Sequence, residues 1–277
     1  MLPCPIIDRG QGMASEGYEH YTVAITGDSE NRIHFGQVTR SGGFKGRREG
    51  RTVGILQPGY LPWLGFFEQL YRCDVFVLYD DVQFEKGSWR NRNLIKTSNG
   101  PQWLTVPVLL KGREFPAIKD VSISGTVPWQ KKHIASISQN YRRAPFLGMY
   151  EDAFFSKLEK PWDWLVDLDL ELIQWLAAEL GITTPMLRSS EMDISGAGVQ
   201  RLIEIILSLG GTRFYEGSAG RSYIDVSVFE RAGITVIFQD YAHPVYPQLH
   251  GDFISHLSII DLLFNCGPQS LSILTNL

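Results

Sequence analysis

From Thr52 onward, short apolar runs rich in β-branched and aromatic residues alternate with longer stretches of helical periodicity. Residues 52–56 (Thr52-Val53-Gly54-Ile55-Leu56) and 74–79, with Val75-Phe76-Val77-Leu78 at their centre, have the length and continuity of buried strands. The last third predicts strands over 185–188, 212–215 and 234–238, with helices over 199–209 and 226–232 between them. Alternation with short connections implies parallel crossovers, and each crossover helix packs back onto the sheet, covering both faces. The expected architecture is α/β with three layers, α/β/α, around a mainly parallel sheet.

The middle of the chain follows another pattern. Residues 102–108 and 118–123 read as strands, and Pro107, which cannot donate to a ladder, places the first at a sheet edge. The two form a candidate antiparallel addition to the main sheet. Helical patterns follow over 129–141, 146–158 and 162–180. In the last, Leu165, Leu168, Leu172, Leu176 and Leu180 recur every three or four residues as one apolar stripe, which Gly181 stops.

With 277 residues and 44% hydrophobic content, the chain can bury a sizeable core. A net charge of -4 lacks the basic footprint of general nucleic-acid binding, so a duplex partner is not expected. Cys4, Cys73 and Cys266 are odd in number and far apart, which suits neither a disulfide framework nor structural zinc and points to a reducing cytoplasm. No apolar run approaches the roughly 20 residues that cross a bilayer. Residues 1–50 are rich in Gly, Ser, Arg and Glu and are expected as a flexible extension ahead of one domain over 51–277. Met13 is an alternative internal start.

Candidate chemistry clusters where strands end, since open α/β sheets bind ligands outside the carboxyl ends of their strands. The first strand runs into Gln57-Pro58-Gly59-Tyr60-Leu61-Pro62-Trp63, and the second into Asp80-Asp81-Val82-Gln83, followed by Arg90-Asn91-Arg92. Two carboxylates and two guanidiniums there suit a phosphate-bearing or amine-bearing ligand; a salt-bridge network that staples a loop is the alternative. Lys132 and His133 open a helix where an anion would be favoured, against a plain solvated face. Ser189 and Ser190 after the strand at 185–188, and Ser218 with Arg221 in a small-residue loop, suit phosphate or merely cap helices. His243 follows the last strand as a candidate general base, near Tyr246 and Gln248. The His spacing predicts no metal site, no motif identifies a cofactor, and Trp63, Trp89, Trp103 and Trp129 could stack on a sugar or base, with plain core packing as the alternative.

Taken together, Gln57-Pro58-Gly59-Tyr60-Leu61-Pro62-Trp63-Leu64-Gly65, Asp80-Asp81-Val82-Gln83-Phe84, Arg90-Asn91-Arg92-Asn93, Trp103-Leu104-Thr105-Val106-Pro107-Val108, Ser189-Ser190-Glu191 and His243-Pro244-Val245-Tyr246-Pro247-Gln248 resemble the WbqC-like family of bacterial proteins over about residues 52–270. The resemblance implies a product of O-antigen and related glycan gene clusters. The expected activity is transfer of an aminoacyl (glycyl) or acyl group onto an amino sugar nucleotide, a small-molecule partner. Asp80, Asp81 or His243 would deprotonate the amine, and Arg90, Arg92 and Lys132 would hold phosphate. One departure stands out: the family usually has His-Gln-Pro where this chain has Leu56-Gln57-Pro58. A weaker likeness, to nucleotidyltransferases of the HIGH superfamily, opens the alternative of an enzyme forming an activated nucleotide adduct. A noncatalytic ligand-binding protein of the same pathway is the third class.

Overall fold

The computed structural model describes residues 50–110 and 115–276, together with a two-residue ladder in which β1 (Thr26–Gly27) pairs antiparallel with β2 (Ile33–His34). The rest of the expected extension over 1–50 lies outside the described residues.

Five parallel strands form the main sheet: β3 (Arg51–Leu56), β4 (Val75–Leu78), β9 (Met186–Arg188), β10 (Gly211–Glu216) and β11 (Thr235–Phe238). Their spatial order is β11-β10-β3-β4-β9. The chain therefore builds outward from β3 in one direction and returns to build in the other. That reversal opens a crevice at the carboxyl ends of β3 and β10, where the connections diverge to opposite sides.

Two apolar layers hold helices to the sheet. Phe76 and Leu78 pack with Phe66, Phe67 and Leu70 of α1 (Leu64–Arg72), and that core runs on into α4 (Leu165–Glu179) and α7 (Ile259–Cys266). On the other face Val53, Ile55, Val77 and Phe214 meet Ile203, Ile205 and Ile206 of α5 (Gly198–Ser208) and Phe229 of α6 (Val226–Arg231). This is the three-layer arrangement expected from the continuous apolar runs. Gly54 is the tight point of β3, because a Cβ there would come within 2.7 Å of Cys73 Sγ and of the Phe76 ring.

The expected antiparallel addition takes a different form. β5 (Arg92–Thr97) and β6 (Gly100–Thr105) make a separate hairpin, and β7 (Val108–Leu109) pairs with β8 (Ser122–Ile123) in a second one. Pro107 falls between β6 and β7 and ends the strand, and Ile118–Asp120 is one turn of 3-10 helix instead of strand. The predicted helices are present as α2 (Trp129–Tyr141), α3 (Leu147–Glu159) and α4, with Gly181 at φ +74° after the last. α8 (Ser270–Thr275) follows α7 at the carboxyl end. Among the described residues no helix is long and apolar enough to cross a membrane.

Candidate functional site

β3 leaves the sheet at Leu56 and turns through Gln57-Pro58-Gly59-Tyr60-Leu61-Pro62 into α1. The turn is laced to the segment before β5. Tyr60 N donates to Arg90 O at 3.1 Å, and Asn93 Nδ2 donates to Leu61 O at 2.7 Å, holding Leu61 in a left-handed backbone at φ +46°. Gly59 permits this approach, since a Cβ there would meet Trp89 O at 2.7 Å. A non-glycine residue at positive φ costs free energy that these bonds must offset.

Between these segments lies a cleft of about 330 Å³. Leu56, Pro62, Phe66, Trp63 and Trp89 give it an apolar and aromatic lining, and Gln57, Arg90, Asn93 and His256 bring polar groups. It sits at the sheet's reversal point, so the fold and the cavity designate the same place.

Arg90 carries the charge of this cleft. Its Nη1 donates to Gln57 O at 3.1 Å and Pro58 O at 3.4 Å, both neutral acceptors. The larger of two negative influences on it, ahead of Glu85, is Asp169 of α4, which is fully buried, with no hydrogen-bond partner for either carboxyl oxygen among the described residues. Burial pushes the Asp169 carboxyl well above the usual carboxylate range and pulls the Arg90 guanidinium down, while their mutual attraction opposes both shifts. The cation is thus incompletely compensated and faces a cavity, an arrangement that favours an anionic ligand.

The imidazole in the cleft is His256. Its ring stacks on Trp63 with centroids 5.1 Å apart, and its Nδ1 lies 2.8 Å from Ser255 Oγ, leaving Nε2 without a partner among the described residues. His256 also holds a left-handed backbone, φ +61°. The bridge between Trp63 and Ser258 fixes this segment against the start of α1. His243, the predicted base, lies behind it and is structurally engaged. Its Nε2 accepts the His256 amide at 3.2 Å, which leaves Nδ1 as the donor to Pro244 O at 2.8 Å. Burial lowers its pKa, as suits a neutral ring whose two nitrogens are occupied.

Asp80 and Asp81 pair with arginines other than the two expected. Asp80, fully buried, accepts from Arg188 Nε at 2.8 Å, Ser190 Oγ at 2.8 Å, Ser190 N at 3.0 Å and Ser189 Oγ at 3.2 Å. Asp81 takes a two-pronged contact from Arg201 and a 2.6 Å bond from Ser189 Oγ. Asp81 is lowered by Arg201 and Ser189 against the opposing effect of burial. The two carboxylates, Ser189 and Ser190 therefore knit the ends of β4 and β9 to α5, and Arg90 and Arg92 stand apart from them.

The remaining expected residues divide by position. Gln57, Trp63 and Arg90 line the cleft. Tyr60 and His133 are buried beside it and bonded to each other at 2.8 Å, and burial lowers His133 to about 4. Asn91 is buried and donates to Val106 O at 2.8 Å. Arg92 lies over Trp103, 4.2 Å from the ring centroid. Tyr246 and Gln248 bind the buried Asp261 of α7, at 3.0 and 2.8 Å, and so anchor the loop that carries His256. Gln83 is exposed and bridges to Ala117, while Lys132 is exposed on α2. Ser218 and Arg221 belong to an exposed turn after β10, with Arg221 over the Phe238 ring. None of these last four lines the cleft. Among the described residues no three His, Cys, Asp or Glu side chains converge as a metal ion needs.

His256, Asn93 and Asp169 were missed as site residues, whereas Trp89 was among the aromatics expected at the rim. Asp169 left a legible trace, a carboxylate inside an apolar helix four residues after Leu165, whereas His256 is brought in by a long loop and left none.

The uncharacterized protein Rv1507c of Mycobacterium tuberculosis is 36% identical over 233 residues, covering 79% of this chain and 96% of the relative. No solved structure matches. The model of the WbqC-like protein family matches residues 57–273, from the turn that opens the cleft into α8, and the chain belongs to that family.

Proposed function

We propose that the protein is a cytoplasmic transferase of surface-glycan synthesis that moves an acyl or aminoacyl group onto the amine of a nucleotide-linked amino sugar, with the chemistry in the cleft at the end of β3. The observation that carries this reading is the meeting in one small cavity of an incompletely compensated guanidinium, two indole rings and an imidazole with an unused nitrogen. The glycan setting comes from the family resemblance.

In this reading the sugar ring lies against Trp63 and Trp89, as apolar sugar faces do on aromatic rings, and Arg90 takes the phosphate nearest the sugar. His256 Nε2 accepts the proton of the amine as its nitrogen attacks the donor carbonyl. The N–C bond forms, the bond from carbonyl carbon to leaving group breaks, and the imidazolium returns its proton to the leaving group. Leu56 lines the same cleft at the position where the family commonly has histidine. In this chain the imidazole would come from His256. Asp80, Asp81 and His243 then act as scaffold.

The test is mass spectrometry of the purified protein incubated with a panel of amino sugar nucleotides and acyl or aminoacyl thioesters. An acyl-sized gain on one sugar nucleotide, abolished in His256→Gln, is expected. A panel without any gain overturns the proposal.

A further inference from the structure

The cleft is small for a nucleotide-linked sugar. Sites that bury a whole drug-sized ligand span about 300–1,000 Å³, and this one, at about 330 Å³, holds little more than a monosaccharide and one phosphate. The rest of the ligand must lie outside, and the surface next to the cleft is distinctive. Trp89 lines the cleft yet is 46% exposed, and its ring centroid is 5.1 Å from that of Trp103 on β6, itself 42% exposed. Arg92 packs its guanidinium on Trp103, and its buried Nε has no hydrogen-bond partner among the described residues. Two adjoining, widely exposed indoles are uncommon on a soluble surface unless something covers them.

We infer that Trp89, Trp103 and Arg92 form a nucleotide shelf: the base of a nucleoside diphosphate stacks on the exposed indole faces, and the diphosphate spans from Arg92 to Arg90 at the cleft mouth. This deepens the transferase reading and rests on it for the identity of the sugar in the cleft. Chemistry decides which half of the ligand goes where. A sugar's hydroxyls need hydrogen-bonding partners, which Gln57, Arg90 and His256 supply inside the cleft. The shelf offers aromatic faces and a cation, and every base has a π-face that stacks on such a surface. The shelf therefore selects a nucleoside diphosphate with little discrimination among bases, and specificity for the sugar is left to the cleft.

The experiment titrates wild type, Trp103→Ala and Trp103→Phe with UDP, ADP, GDP and inorganic pyrophosphate by calorimetry and tryptophan fluorescence. In wild type the three nucleotides are expected to bind within about tenfold of one another and more tightly than pyrophosphate. Trp103→Ala should weaken the nucleotides roughly 5- to 150-fold, the value of one stacked base, and pyrophosphate by much less, since both guanidiniums remain and Arg92 loses only the ring beneath it; Trp103→Phe should retain most of the affinity. Nucleotide binding unchanged in Trp103→Ala, or lost in step with pyrophosphate, overturns the shelf. The two readings fail separately. Acyl transfer with an unaltered KM for the sugar nucleotide in Trp103→Ala removes the shelf and leaves the transferase, whereas Trp103-dependent nucleotide binding without transfer to any sugar nucleotide removes the transferase and leaves the shelf.

Discussion

Replacing Asp80 with alanine separates a structural role from a catalytic one. Asp80 is fully buried and its partner Arg188 is 3% exposed, with two guanidinium contacts at 2.8 Å. Removing one member of a buried ion pair leaves an uncompensated charge and costs about 3–5 kcal/mol. Arg188 keeps Glu191 at 3.5 Å, so the lower end, about 3 kcal/mol, applies to the ion pair, and the loss of the bonds from Ser189 and Ser190 adds about 1 kcal/mol, for an expected total of about 4 kcal/mol. Against a typical domain stability of about 5–15 kcal/mol this is large but survivable. Urea unfolding followed by circular dichroism measures it, and Asp80→Ala combined with Arg188→Met should lose less than the sum of the two single changes. The folded fraction of Asp80→Ala should keep its turnover within a few-fold. A variant as stable as wild type, within about 1 kcal/mol, but with activity reduced a hundredfold or more would refute the reasoning and return Asp80 to the chemistry.

Glu216, buried at the end of β10, is raised by burial to about 7 from an ordinary 4.5, so its contribution to stability is complete below about 4.5 and is lost as pH rises through 7. Denaturation between pH 5 and 8 should show wild type losing on the order of 3 kcal/mol relative to Glu216→Gln; parallel curves would contradict this. His133 is shifted the other way, down to about 4 by burial, so its stabilisation is present above its ordinary 6.5 and lost as pH falls through 4. His133→Gln should flatten the acid limb of the same curve. Gly59→Ala pushes a Cβ against Trp89 O and should cost about 1–3 kcal/mol while raising KM through displacement of Trp89 and Arg90, as paired unfolding and kinetic measurements would show. His256→Gln, on a half-exposed loop, should leave unfolding unchanged and lower kcat by about 10²–10⁴.

The layers of the fold were legible because buried parallel strands must be apolar throughout, as Val75-Phe76-Val77-Leu78 is. β5 was hidden by its polar beginning. Asn91, beside Arg92, reads as a ligand rim, yet it is buried with its amide spent on Val106 O, and Asn93 was passed over although it both donates to Leu61 O and lines the cleft. Asn99-Gly100 was the overlooked signal of the hairpin, with Gly100 at φ +95°. The strand end that its Gly/Pro-rich turn marked in the sequence is the one beside the sheet's reversal point, although the strand order itself was not legible. The partners of its charges were not legible, because sequence proximity favoured Arg90 and Arg92 for Asp80 and Asp81, while the parallel pairing of β4 with β9 delivers Arg188, and α5 delivers Arg201. His243 drew attention by following a strand, but its loop spends that ring on support and presents His256, thirteen residues later, to the cleft.

The central claim is that the cavity at the end of β3 is where the ligand reacts. A crystal structure of the protein soaked with an amino sugar nucleotide tests it most directly. Density for the sugar is expected between Trp63 and Trp89, with its amine within hydrogen-bonding reach of His256 Nε2 and a phosphate on Arg90. Density seated instead on the Ser218–Ser222 turn, with this cavity empty, would contradict it.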